Sequence, residues 1–212
     1  MPRILGKPMS INVRKVLWLC DELALPCELE AWGAGYRDPE TPEFRALNPN
    51  ALVPAIDDGD GDDASHVKLW ESNVIVRYLC ARHASGTLYP EPLPERFDAE
   101  RWMDWQQTTL GPAGRTAFLQ WIRTPAEQRN HDAIAQSVAA TEPLLALLDQ
   151  HLARRPFMAG DRLTMADFPI ACEIHRWINL PQPRTPRPHL DRWYEALLAR
   201  PSARGVLDLA LS

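Results

Sequence analysis

Residues 47–79 read LNPNALVPAIDDGDGDDASHVKLWESNVIVRYL, and the fold turns on this stretch. Val53-Pro54 stands at the start of one short strand, Ala55–Asp57, and Glu71-Ser72 closes the next, Val67–Trp70. Between them lie Asp57, Asp58, Asp60, Asp62 and Asp63, which predict a hairpin with an enlarged, solvated turn. A helix opens at once after Glu71, with Val74, Ile75, Tyr78 and Leu79 at helical spacing and Ser72 as a suitable N-cap. Exposed backbone beside a helix N-terminus suits an anionic, peptide-like ligand.

Upstream, Arg3–Leu5 predicts a short strand. Val13, Val16, Leu17, Cys20, Leu23 and Ala24 then recur at helical spacing, so 12–24 reads as an amphipathic helix ended by Pro26. Cys27–Trp32 reads as a second strand. Residues 33–50 carry Gly33, Gly35, Pro39, Pro42 and Pro49, leaving room for one helical turn at Pro42–Leu47. This β-α-β-(α)-β-β-α order fits a small mixed sheet with helices packed on it.

Downstream, HASGTLYPEPLP (83–94) reads as a linker, and after Glu95 strand signals vanish. Helices are predicted over 95–123, 125–153, 164–179 and 188–199, with a short one near 202–209 and a kink or break at Gly111-Pro112. Thr164-Met165-Ala166-Asp167 has the form of a capping box, stapled by Leu163 and Phe168. It is read as local helix initiation with no catalytic role. The division is therefore 1–83, a linker at 84–94, and an all-helical 95–212.

With 23 Lys and Arg against 28 Asp and Glu, the net charge of −5 argues against binding a phosphate backbone. No apolar run approaches a membrane span, and the apolar core of MPRILGKPMS is too short for a signal peptide, so a cytoplasmic protein is expected. The 4 cysteines show no CxxC spacing and the 6 histidines are scattered, so free thiols and no metal site are expected.

Taken in order, KPMSINVRKVLW (7–18), NPNALVP (48–54) and WESNVIVRYL (70–79), followed by an all-helical half, resemble the cytosolic glutathione transferase family. RWMDWQQ (101–107), FMAGDRLTMADF (157–168) and RPHLDRWYEALLARP (187–201) agree, so the resemblance covers nearly the whole chain. It is nearest the bacterial members with a Ser-type active site, theta-, beta- or nu-like. The resemblance implies a thioredoxin-like α/β N-terminal domain, an all-α C-terminal domain, a glutathione site between them and a homodimer.

It also implies roles for particular residues. A cis Val53-Pro54 bond would expose the Val53 N–H and C=O to the cysteinyl part of glutathione. Ser72, with Glu71 beside it, would take the γ-glutamyl end, helped by the positive helix terminus. Ser10 would donate a hydrogen bond to the sulfur and favour the thiolate. Lowering a thiol pKa by about two units takes roughly 2.7 kcal/mol, the order of one charge-assisted hydrogen bond plus a helix end. Ser10 could instead cap the 12–24 helix, and the Asn12 amide is a rival or assisting donor. For the second substrate, a small hydrophobic electrophile, Arg115 and Phe118 head the 115–121 stretch that would wall the cleft, while Trp102 and Trp105 read as helix–helix core. Glutathione-dependent disulfide or peroxide reduction, and a non-catalytic binding protein, are the alternatives on the same scaffold. One departure stands out: relatives often carry a Lys before Val-Pro for the glycyl carboxylate, and here the position is Leu52, with Lys7, Arg14, Tyr36 or Arg37 as possible substitutes.

Overall fold

The computed structural model describes residues 1–59 and 66–211. Three short strands come early in the chain: β1 (Arg3–Leu5), β2 (Glu28–Glu30) and β3 (Ala55–Asp58). With β4 (Val67–Trp70) they form one sheet in the order β2-β1-β3-β4. β1 runs parallel to β2 across α1 (Ile11–Glu22), while β3 is antiparallel to both β1 and β4, with Ile4 opposite Ile56 and Ile56 opposite Leu69. A parallel pair needs a crossover, and α1 supplies it. The expected Cys27–Trp32 strand keeps only its middle. Trp32 turns inward instead to pack on Phe44 of α2 (Pro42–Arg45), ring centroids 5.0 Å apart.

Two aspartates of the acidic hairpin are less solvated than the composition suggests. Asp57 and Asp58 are buried. Asp58 accepts hydrogen bonds from the Tyr78 hydroxyl (2.7 Å) and Arg82 (2.8 Å), and Asp57 pairs with His66. These partners satisfy carboxylates that the sheet buries. Asp60, Asp62 and Asp63 lie outside the described residues.

After α3 (Ser72–His83) the chain runs to a helix that holds from α4 (Leu93–Trp105) through a π-helical turn (Gln106–Leu110) into α5 (Gly111–Phe118) and a second π turn ending at Arg123. Of the kink or break expected at Gly111-Pro112, the break does not occur: the chain stays helical through the pair. A proline removes one backbone donor and crowds the carbonyl four residues back, and the widened π turn just before it accommodates both effects. Three further helices follow: α6 (His131–Leu152), α7 (Asp167–Ile178) and α8 (Pro188–Leu198). α6 starts six residues later than the predicted 125, where the Asn130 side chain accepts from the Ala133 N–H at 2.9 Å. The 202–209 region is no α-helix; only Pro201–Ala203 forms a short 3-10 turn. Arg14 holds the tail beyond it, donating to the carbonyls of Leu209 (3.0 Å) and Ala210 (2.6 Å). Among the described residues no helix is long and apolar enough to cross a membrane.

One continuous core joins sheet and helices. Val13, Val16 and Leu19 of α1 and Ile75, Val76 and Leu79 of α3 lie in it with Ile170 and Ile174 of α7. Trp18 meets Phe168 edge to face at 4.7 Å, so α1 belongs to both halves of the molecule. Trp102 packs against Trp105 (5.3 Å) and His151 (4.5 Å), the helix–helix role expected of it.

The capping box works differently from its local reading. Asp167, not Thr164, opens α7, and Ala166 holds the N-cap position without a side-chain bond. The fully buried Asp167 carboxylate accepts from the N–H of Thr164 (2.9 Å), the N–H of Met158 (2.9 Å) and the indole of Trp193 on α8 (2.9 Å). A local start signal thus ties together a loop and two helices.

Candidate active site

Two adjoining cavities open where α1 begins, between the sheet domain and the long helix. Ile11, Asn12, Arg115 and Arg176 line both. The inner one, about 250 Å³, is also lined by Lys15, Glu71, Ser72, Gln106 and Gln107. The outer one, about 170 Å³, takes in Ser10, Arg14, Phe118, Arg123, His175 and Leu211 from the tail. Six of the eight residues singled out in the sequence therefore converge: Ser10, Asn12, Glu71, Ser72, Arg115 and Phe118. Val53 and Pro54 line neither cavity. Their peptide bond is cis, and no described residue hydrogen-bonds to the Val53 N–H or C=O.

The helix start at α3 differs by one residue from its expected form. Glu71 holds the N-cap position at φ +70°, and Ser72 is the first helical residue. A left-handed φ is costly for a side chain with a Cβ and persists where its surroundings enforce it. Here the Glu71 carboxylate accepts from the Gln107 amide at 3.0 Å. The Ser72 hydroxyl, no longer a cap, donates to Asn12 Oδ1 (3.4 Å) and accepts from the Lys15 ammonium (3.3 Å).

Lys15 is the residue that sequence reasoning passed over. It is 2 % exposed, and its Nζ also donates to Asn73 Oδ1 (3.1 Å) and Gln106 Oε1 (3.1 Å). All three acceptors are neutral, and no carboxylate of a described residue lies within ion-pair range. Burial pushes its pKa down to about 8, opposed chiefly by attraction to Glu173. At neutral pH it is still mostly an ammonium, so a positive charge with no contact ion pair among the described residues sits beside Ser72. The network continues from Gln106 to Glu173 (3.1 Å), which pairs with Arg176.

Ser10 is the counterpart in the outer cavity. It occupies the N-cap position of α1 with extended backbone, yet its side chain makes no cap bond, so the capping alternative is not used. Its hydroxyl has no hydrogen-bond partner among the described residues, whereas Asn12 is engaged by Ser72. The expected aromatic wall reduces to Phe118, whose ring lies under the guanidiniums of Arg123 (5.1 Å) and Arg176 (4.8 Å). Trp121 turns away, donating to Gln182 at 3.0 Å. Of the substitutes for the missing lysine at Leu52, Arg14 is committed to the tail and Arg37 to Glu30 and Glu43. Lys7 and Tyr36 form no ion pair or hydrogen bond through their side chains with a described residue.

The family described as glutathione S-transferase, N-terminal domain, matches residues 5–91, and that described as glutathione S-transferase, C-terminal domain, matches 132–196. The chain is 40% identical over 207 residues to glutathione S-transferase GstB of Escherichia coli, covering 98% of each. Its fold is similar to a theta class glutathione S-transferase of Xanthomonas axonopodis pv. citri solved with glutathione bound, with TM-score 0.92, 38% identity and coverage of 100% and 99%. A Burkholderia graminis glutathione transferase with two glutathione molecules per subunit is similar at TM-score 0.85 and 27% identity, covering 98% of this chain and 87% of that one.

Proposed function

The chain belongs to the glutathione S-transferase family, and on that premise we propose that it conjugates glutathione, its co-substrate, to small electrophiles. The Ser10 hydroxyl holds the glutathione sulfur as thiolate, the nucleophilic form. The observation that carries this reading is an unpartnered Ser10 hydroxyl opening into a cavity continuous with one built around Ser72 and a buried ammonium. In the inner cavity Ser72 and Glu71 take the γ-glutamyl carboxylate and ammonium, and Val53 and Pro54 present backbone to the cysteinyl part. Asn12 orients Ser72 and assists. Arg115 and Phe118 face the second substrate. Domains 1–83 and 95–212, joined by 84–94, supply the two walls, and the working form is a cytoplasmic homodimer.

Titration calorimetry with glutathione tests the premise: binding in the millimolar range or tighter is expected, with conjugation of chlorodinitrobenzene. No heat at millimolar ligand would remove the enzymatic reading. Reduction of hydroxyethyl disulfide outpacing conjugation would shift the chemistry toward Asn12.

Lys15 gives a sharper expectation. Its ammonium polarises the Ser72 hydroxyl toward an incoming carboxylate and supplies a charge that no described carboxylate contacts. Lys15→Met is expected to weaken glutathione binding about tenfold, the scale of one charge-assisted interaction. In the wild type, affinity falls as pH rises past about 8 and Lys15 loses its proton; the variant loses that dependence. The sign for stability is opposite. The folded pKa lies below the usual 10.5, so the unfolded chain binds the proton more tightly and the cost of burying it fades between about 8 and 10.5. Urea melts across that window, wild type against Lys15→Met, measure it.

A further inference from the structure

We propose that the second substrate is an electrophile carrying a carboxylate, selected by a guanidinium-lined outer cavity; this rests on the transferase reading above. Four arginines, Arg14, Arg115, Arg123 and Arg176, line the cavity beside Ser10, and no Asp or Glu among the described residues does so. The local balance inverts that of a chain with net charge −5. Two counter-charges act on this set. Glu173 pairs with Arg176 from the inner cavity, and Asp208 attracts the buried Arg14 from the neighbouring tail cavity. Arg14 spends its hydrogen bonds on neutral carbonyls, which leaves its charge in place. Exposed Arg115 has neither an ion pair nor a hydrogen bond with any described residue and lines both cavities, next to Ser10 and Asn12. His175 adds no charge at neutral pH, since burial pushes it down to about 4.

This arrangement meets a specific difficulty. A thiolate and a carboxylate-bearing substrate are both anions, and reaction needs the sulfur within about 3.5 Å of the carbon it attacks. Guanidiniums beside the thiolate offset that repulsion, and their planar forks match carboxylate oxygens. Phe118, which lines the same cavity, anchors the guanidiniums of Arg123 and Arg176 over its ring. In the step itself, the sulfur lone pair forms the C–S bond. The leaving group, a halide for instance, departs with the C–X electron pair, and the thiol proton has already gone to solvent. The carboxylate is unchanged and serves recognition alone.

The test uses a matched pair, 4-chloro-3,5-dinitrobenzoate and its methyl ester, at saturating glutathione. Each kcat/KM is divided by the uncatalysed rate constant with glutathione. The wild type is expected to favour the acid about tenfold, with the preference shrinking as salt is raised. In Arg115→Gln, and separately in Arg123→Gln, the preference falls toward one, and Arg115→Lys restores part of it. A wild type that handles the ester as well as the acid overturns the proposal, as does a preference unmoved in both glutamine variants. If glutathione binds but neither compound is conjugated, the transferase reading fails and this inference fails with it.

Discussion

Asp167→Ala is expected to lower the midpoint of thermal unfolding by roughly 10 °C, from about 4 kcal/mol of lost stability. The carboxylate is fully buried and accepts from Met158 N–H, Thr164 N–H and the Trp193 indole, whose residues are themselves 0%, 1% and 1% exposed. Removing it strands three buried donors. Each orphan costs about 1–3 kcal/mol, against a typical total stability of 5–15 kcal/mol. Asp167→Asn is expected to rescue little, because its amide must set an NH₂ against one of the same donors. The charge is not what stabilises. Burial pushes Asp167 up to about 6, opposed by its hydrogen bonds, so by linkage this group's contribution is greatest below its ordinary value near 3.8 and declines as pH rises through about 6. Differential scanning calorimetry of the two variants measures the loss. An Ala variant melting within two or three degrees of wild type would show that the carboxylate merely fills space.

The same residue shows how far the sequence could be read. Thr164-Met165-Ala166-Asp167 announced a helix start, but its partners lie 9 and 26 residues away along the chain, at Met158 and Trp193. Local spacing carries no signal of those contacts. β1, β3 and β4 were legible as short apolar segments bounded by Pro, Gly and Asp, β2 only in its middle, and the two predicted substrate-facing residues, Arg115 and Phe118, do reach the cavity that holds Ser10. Lys15 was illegible for the opposite reason. Flanked by Val13, Val16 and Leu17 it looks like the solvated shoulder of an amphipathic helix, and only tertiary packing, with α3 and the long helix supplying its hydrogen-bond partners, buries it. Arg14 was hidden likewise, since its acceptors are carbonyls of the tail. The cationic outer cavity gathers α1, the long helix and α7, positions up to 166 residues apart between Ser10 and Arg176, so no window of sequence contains it.

Ser10→Ala is expected to reduce chlorodinitrobenzene conjugation about a hundredfold at pH 6.5 and to close on the wild type as pH rises. The reason is the ionisation, not binding. A thiol held about two units below its free pKa owes roughly 2.7 kcal/mol to groups that prefer the anion, and deleting the hydroxyl donor returns much of the thiol to the protonated form. Above the free thiol pKa the sulfur is ionised without help, so the two pH–rate profiles converge. Glutathione affinity, which the proposed site assigns to Ser72, Glu71 and Lys15, should change little by comparison. Ser10→Thr keeps the hydroxyl and should restore most of the low-pH rate. Asn12→Ala should act differently: its Oδ1 is held by the Ser72 hydroxyl, so its loss should raise KM for glutathione more than it lowers kcat. Identical profiles for wild type and Ser10→Ala would remove Ser10 from the chemistry, and a low-pH rate collapse in Asn12→Ala instead would transfer the donor role to that amide.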